Sequence, residues 1–246
     1  LELSDWDGFE VRRKDAAGRG RLLGIGLANY VETSTGWPLE RAVMHVLPEG
    51  RVDLVIGAQS SGQGHETTFR QIGAKFLGVP FECIDYRYGD TSFVKDGSGS
   101  HSARTMRVGG HLFSQTRDEI IERGKAIAAH ILECAVADVQ FAGGKFSVSG
   151  ADLDVGLFDV AQAAESRTDL PENLQGPLRA VARIDKPMPA YPNGCHVVEI
   201  ELDPDTGAVA IKRYAAVDDV GTVVNPMIVD GQVHGGIVQG AGQIMM

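Results

Sequence analysis

A chain of 246 residues is long enough for one large domain or two modest ones, each with its own hydrophobic core. Its 43% hydrophobic and 23% charged residues exclude general disorder, and a net charge of -10 argues against a nucleic-acid groove or an anionic membrane as partner. No apolar run reaches the roughly 18 residues of a spanning helix, no basic-then-apolar start suggests secretion, and Cys83, Cys134 and Cys195 fit free thiols in a reducing cytoplasm.

Residues 1–21 are mixed and charged and read as a lead-in segment. Leu22 to Val31 is apolar and predicts a strand. Ala42 to Leu47, the turn Pro48-Glu49-Gly50 and Arg51 to Gly57 predict a β-hairpin, with β-branched and apolar residues on both arms. A helix follows, in which Phe69, Ile72, Phe76 and Leu77 share one face and Gly78 with Pro80 closes the element. Phe81 to Tyr88 reads as a strand and His111 to Cys134 as a long helix with Ile120, Ile127, Ile131 and Leu132 on one stripe. Val139 to Val148 predicts a second hairpin turning at Gly143-Gly144, and Gly156 to Ala164 a short helix. Cys195 to Leu202 and Ala208 to Val217 predict a third hairpin around Asp203-Pro204-Asp205-Thr206-Gly207. Asn225 to Met246 reads as a Pro-capped helix. The class is α+β: mixed sheets of long hairpin strands packed with helices. The order gives a lead-in at 1–21, an α+β region at 22–164, a Pro-rich connection at 165–192 and a second α+β segment at 193–246. A chain that starts without methionine and stops inside an apolar helix reads as a piece of a longer polypeptide.

Glycine is in excess, with 31 in the chain against the roughly 7% usual in proteins. Gly62-Gln63-Gly64-His65 lies between a strand and a helix, where free backbone N–H groups suit an anion or a polar ring. A tight loop with a helix cap accounts for it equally well. The spacing is neither a P-loop, a dinucleotide fingerprint nor a zincin motif. Gly97-Ser98-Gly99-Ser100-His101-Ser102-Ala103-Arg104-Thr105 is a second polar loop leading into a helix, either an oxyanion or phosphate cradle or, by its composition more readily, a solvated loop. The glycines around Gln232, in Gly231-Gln232-Val233-His234-Gly235-Gly236, suit close helix packing or cofactor contact alike. The turn at 203–207 imitates the start of a calcium loop but lacks its closing glutamate. His45, His130 and His196 read as core or surface histidines.

Taken together, five stretches resemble the large, molybdopterin-binding subunit of the xanthine dehydrogenase/aldehyde oxidase family, nearest its aerobic carbon monoxide dehydrogenase-like branch. They are Ser-Ser-Gly-Gln-Gly-His-Glu-Thr at 60–67, Gly-Asp-Thr at 89–91, Gly-Ser-His-Ser-Ala-Arg-Thr at 99–105, Val-Asp-Asp-Val-Gly-Thr-Val-Val-Asn-Pro at 217–226 and Gly-Gln-Val-His-Gly-Gly-Ile-Val-Gln-Gly at 231–240. The resemblance implies a molybdenum-dependent oxidoreductase that hydroxylates an aldehyde, an N-heterocycle or carbon monoxide with oxygen from water. It implies that 22–164 is molybdopterin-binding, and that Gly62, Gln63, Gly64, His65, Ser102, Ala103, Arg104, Thr105 and Gln232 hold the cofactor, of which the cytosine dinucleotide is one form. Gln63 and Gln232 would bond the pterin, and Ser102 to Thr105 would line a loop against it. The family's catalytic glutamate lies beyond the equivalent of Met246, so no catalytic residue and no metal ligand is assigned within the chain. Partners implied are iron–sulfur and FAD-binding subunits or domains and a small-molecule substrate, in a cytoplasmic oligomer. The chain alone is expected to be inactive and empty of cofactor. A non-catalytic relative serving as an assembly or interaction module is the alternative, and a hydrolase using His65 and Glu66 lacks a nearby nucleophile.

Overall fold

A computed structural model describes residues 2–246; Leu1, the first residue of the lead-in segment, lies outside the described residues. In chain order the elements begin with helix α1 (Phe9–Gly18), strands β1 (Leu22–Val31), β2 (Glu40–Leu47) and β3 (Arg51–Ile56), helix α2 (His65–Leu77), strand β4 (Ile84–Arg87) and helix α3 (Thr105–Ile131). Then come β5 (Val139–Ala142), β6 (Lys145–Val148), β7 (Asp154–Gly156), α4 (Leu157–Ser166), β8 (Leu178–Ile184), β9 (Asn193–Leu202), β10 (Val209–Asp219) and α5 (Pro226–Met245). The class is α+β, and the elements form two compact units: Thr35–Met188, and a discontinuous one of residues 2–34 with Pro189–Met246.

The unit Thr35–Met188 is built on a four-stranded sheet in the order β4-β3-β2-β8. β2 and β3 are the first hairpin read from the sequence, with Met44 opposite Leu54 and Ala42 opposite Ile56. Gly50 closes its turn at φ +86, a conformation glycine reaches without a Cβ clash. Strands β3 and β4 run parallel, which no tight turn can achieve, and α2 supplies the crossover. Met44, Leu54, Ile56, Phe69, Leu112 and Phe113 are fully or almost fully buried between this sheet and the helices.

Helix α3 begins earlier than the expected His111. Gly109 and Gly110 imitate a loop, yet a Cβ at Gly109 would stand 2.5 Å from the Phe69 ring, so glycine there lets α2 and α3 close on one another. The expected strand at 81–88 opens with a 3-10 turn over Phe81–Cys83, leaving β4 short. Strand β8 lies inside the expected connection at 165–192. Its Leu178, Ala180 and Ala182 point inward while Arg179, Val181 and Arg183 are turned outward, the period-two pattern of a half-buried strand. Alanine is depleted in strands, which masked this element in the composition. A small second sheet, β5-β6-β7, contains the expected hairpin at 139–148.

The discontinuous unit holds an antiparallel sheet in the order β1-β9-β10, with Leu27 opposite Val197 and Tyr214 opposite Val198. Strand β1 therefore belongs with β9 and β10 and not with the expected 22–164 region, because its hydrogen-bonding edge is satisfied there. The lead-in contains α1, which the sequence did not announce: only Ala16 is buried, so no apolar stripe exists to read. Charge fixes it instead, through Arg12 to Glu199 at 3.0 Å and Arg19 to Glu201 at 2.8 Å. The segment 203–207 is a hairpin turn, with the Gly207 amide donating to the Asp203 carbonyl at 2.8 Å. Asp218 of the fourth quoted stretch accepts from Tyr30 Oη at 2.8 Å and lies 3.0 Å from His196 Nε2. Burial and the Asp218 carboxylate push the Tyr30 phenol up to about 12. Helix α5 starts as read, with Asn225 Oδ1 accepting from the Ile228 amide at 3.1 Å and Pro226 in the first turn. No helix among the described residues is long and apolar enough to cross a membrane.

Candidate functional site

Two of the glycine-marked loops come together in the unit Thr35–Met188. The first, residues 57–64, leaves β3 and turns into α2. Gly62 at φ +103 and Gly64 at φ +77 make the reversal, and the N-cap Gly64 offers no side chain to the helix amides. The amphipathic face of α2 buries Thr68, Phe69, Gly73 and Leu77, which fixes where its N-terminus emerges. The second loop, residues 96–104, ends at α3, whose N-cap Arg104 likewise makes no side-chain cap. Ser102 at φ 48 and Ala103 at φ 50 are consecutive left-handed residues with side chains. Such conformations cost of order 1–3 kcal/mol each and persist only where neighbours determine them.

The neighbours here are identifiable. Ser100 Oγ donates to the Gln59 carbonyl at 2.5 Å, joining the second loop to the first, and Thr105 Oγ1 donates to Ser100 Oγ at 2.9 Å. Gly57 and Gly97 meet backbone to backbone: a Cβ on either would stand 2.5 Å from the other's Cα. Beneath both loops lies an ion pair with no solvent exposure on either side chain, Arg104 Nη1 to Glu40 Oε2 at 2.9 Å. Arg104 also donates to the Gly99 carbonyl at 2.8 Å and the Leu39 carbonyl at 3.1 Å. Gly36, at φ +62, brings the backbone down on it, since a Cβ there would lie 2.9 Å from Arg104 Cδ.

Gln63 Oε1 accepts from the Ser61 amide and so closes its own turn. His65 is buried, stands 5.7 Å from the Phe69 ring, and its Nδ1 has no hydrogen-bond partner among the described residues. Glu66 accepts from Ser60 Oγ at 2.7 Å and from Tyr88 Oη. Burial opposes its charge, but those two hydrogen bonds outweigh burial and hold the carboxyl below its ordinary range. Tyr88 is pushed up in turn by its bond to that carboxylate. Ser102 and Ala103 are exposed, while Arg104 and Thr105 are buried. Gln232 is exposed on α5, in the discontinuous unit. Sequence reasoning missed Glu40 and Tyr88 as parts of this region; Ser60 and Glu66 stand in the quoted stretch at 60–67 but were not among the residues expected to hold the cofactor. Glu40 carries no motif, but a lone acid at the start of an apolar strand was the available signal. Among the described residues no group of three or more His, Cys, Asp or Glu is placed to hold a metal ion.

Burial lowers the pKa of His65 and of His45, outweighing the nearby Glu66 and Asp53 respectively. The unfolded chain takes up these protons at about pH 6.5, before the folded one does, so stability falls as pH drops below that value and levels off below the folded values. Asp53, raised by burial, works in the opposite sense nearer pH 4. The urea midpoint is therefore expected to stay flat from about pH 8 to 7 and to decline from about pH 6.5 downward. Replacing both histidines with glutamine should flatten that decline, and an unchanged slope would refute the assignment.

The whole chain, residues 1–246, matches the family model described as a molybdopterin cofactor-binding domain. It is 33% identical to the nicotine 6-hydroxylase large subunit of Paenarthrobacter nicotinovorans, covering 98% of this chain and 31% of that protein. It is 32% identical to the carbon monoxide dehydrogenase large chain of Hydrogenophaga pseudoflava, again over 98% of this chain and 31% of that protein. Among solved structures, quinoline 2-oxidoreductase from Pseudomonas putida 86 superposes with a TM-score of 0.88 at 32% identity, over 98% of this chain and 32% of that one. The chain thus spans about a third of the length of the relatives it matches.

Proposed function

The chain belongs to the molybdopterin cofactor-binding domain family, and from that premise we propose that it is the cofactor-holding part of a molybdenum hydroxylase large subunit. The observation that carries this is the joining of residues 57–64 and 96–104, each leading into a helix N-terminus without a side-chain cap. Helix N-termini, with their backbone N–H groups and the positive end of the helix dipole, suit phosphate and polar ring edges. The residues fit such a group in two further ways. A Cβ at Gly62 or Gly99 would meet nothing within 4 Å, which leaves room for a ligand to approach the backbone. His65 Nδ1 is a buried polar atom left without a protein partner, and such atoms are costly unless something bonds them.

In this reading Gly62 and Gly64 admit the cofactor to the backbone, Gln63 bonds its ring system, and His65 bonds it from beneath. Ser102, Ala103 and Thr105 line the second loop, and Arg104 contributes its backbone while its side chain points away. When bound, the cofactor supplies two-electron oxidation of the substrate with oxygen drawn from water. The chain's own residues hold and orient it and keep water from its buried side. The cytosine dinucleotide form, an aldehyde, N-heterocycle or carbon monoxide as substrate, a glutamate base elsewhere in the polypeptide, iron–sulfur and FAD-binding partners, and an oligomeric assembly in the cytoplasm complete the proposal.

The test is molybdenum content of the complete subunit expressed with its neighbouring subunits. Gln63→Ala should weaken cofactor binding by about 1–3 kcal/mol, roughly 5- to 150-fold, because the ring edge of the bound cofactor loses its amide partner. Gln63→Glu keeps an acceptor for the Ser61 amide but replaces the NH₂ donor with a charged carboxylate oxygen, so it preserves the turn while removing the ligand contact. Unchanged molybdenum content and turnover in both variants would make Gln63 a turn residue and remove it from the site.

A further inference from the structure

We infer that Glu40 is the positioning residue of this site: paired with Arg104, it forms a buried strut that sets the spacing between residues 57–64 and residues 96–104. The inference rests on the proposed function for what the two loops hold, but its geometry stands independently.

An ionised carboxylate has about four acceptor positions and no donor. Glu40 uses them on three segments at once. Oε1 accepts from the Gly57 amide at 3.1 Å and from the Arg41 amide at 3.2 Å. Oε2 accepts from Arg104 Nη1 at 2.9 Å and from the Ser98 amide at 3.4 Å. Arg104 continues the strut to the Gly99 and Leu39 carbonyls, and Ser98 Oγ returns to the Leu39 carbonyl at 2.5 Å. Glycine is required where the loops press on the carboxylate, since Cβ atoms at Gly57 and Gly97 would stand 2.8 Å and 3.0 Å from Glu40 Oε1.

This arrangement changes the role of Arg104. Its charge is cancelled at 2.9 Å by a carboxylate equally removed from water, so it offers little net field to an anion above the loops. Its rigid fork spans the Glu40 carboxylate and two carbonyls, which a single ammonium cannot reproduce. Arg104 therefore acts on a cofactor through the loop it anchors, and Glu40 acts through Arg104 and the amides of Gly57 and Ser98. A glutamine at position 40 has nearly the same shape but turns an NH₂ toward groups that are themselves donors.

The experiment uses the complete polypeptide in its assembled complex. Glu40→Gln and Arg104→Gln are each expected to lower molybdenum-cofactor content at limiting cofactor by tenfold or more. Arg104→Lys should rescue poorly. The double variant E40Q/R104Q, which leaves no buried charge, should fold and lose no more cofactor than the worse single variant, because both act through one element. Hydrogen exchange gives a readout independent of cofactor. In Glu40→Gln the segments 57–64 and 96–104 should accelerate together by at least tenfold, with α4 unchanged. Loss of cofactor in Arg104→Gln alone, with Glu40→Gln like wild type, would make Arg104 a direct contact and overturn the proposal. So would a lower melting temperature with loop exchange and cofactor content both unaltered, which is the signature of a merely structural pair. If a single variant does not fold, the wild-type protein still decides. Its Gly57 and Ser98 amides should exchange within about threefold of one another, and rates more than tenfold apart would refute a shared strut. A wild-type complex that holds no molybdenum would defeat the functional reading and leave the exchange test of the strut intact.

Discussion

Replacing Arg104 with alanine is expected to destabilise the unit Thr35–Met188 by about 3–5 kcal/mol, the usual cost of leaving one member of a buried ion pair without its partner. Glu40 would lose its counter-ion in a place that no solvent reaches, and the Gly99 and Leu39 carbonyls would lose their donor. For a unit of this size the change corresponds to a fall in melting temperature of roughly 6–20 °C. Removing both side chains exchanges an unpaired charge for a cavity, so the cost of Glu40→Ala with Arg104→Ala should be well below the sum of the two single costs. Thermal and urea unfolding of the four proteins in the cycle measure this. A loss under about 1 kcal/mol for Arg104→Ala, the value of an ordinary hydrogen bond, would show that water reaches Glu40 in the folded protein.

Phe69→Ala should be comparably severe, at about 3–5 kcal/mol, because a large aromatic is removed from a site that cannot collapse around the gap. Phe69 is fully buried, stacks on Tyr86 at 5.2 Å and meets the edge of Phe113 at 5.4 Å. It also fills the space that Gly109 leaves open on α3. Leucine at the same position retains much of the apolar volume and should cost clearly less. The effect is expected in the urea midpoint with an unchanged m-value, since the surface exposed on unfolding hardly differs. An alanine variant as stable as the leucine one would mean that α3 closes the gap by moving toward α2.

Periodicity and turn chemistry made much of the fold legible. The β2–β3 hairpin, the buried face of α2, the β5–β6 turn and the β9–β10 pair all follow from local patterns and appear close to where they were read. What stayed hidden was determined by distant partners. Helix α1 has no apolar stripe because ion pairs to Glu199 and Glu201 hold it. Strand β8 has alanines where strands prefer branched residues, since it lies under α3, where small side chains fit. The two loops were legible as glycine-marked helix starts, but their joining depends on Ser100, Gln59, Glu40 and Arg104, whose spacing along the chain carries no signal. The direction of the Arg104 side chain was equally invisible, because an arginine in a polar loop reads as a ligand contact until a buried acid is found beneath it.

The pairing of β1 with β9 has a consequence for biosynthesis. The ribosome completes β1 at Val31 and reaches the end of its partner at Leu202 about 170 residues later. At roughly 5–20 residues per second, that strand waits on the order of 10–30 s without its hydrogen-bonding neighbour. During this interval the whole of Thr35–Met188 emerges and is free to fold. Meanwhile the apolar residues Leu22, Leu23, Ile25, Leu27 and Val31 are without the β9 partner they have in the folded protein, and an unpaired apolar segment is a hazard for pairing with other nascent chains. The glycines at 24 and 26 lower its strand propensity, and so reduce the rate of such mispairing until β9 and β10 have closed on each other and offer β1 its proper edge.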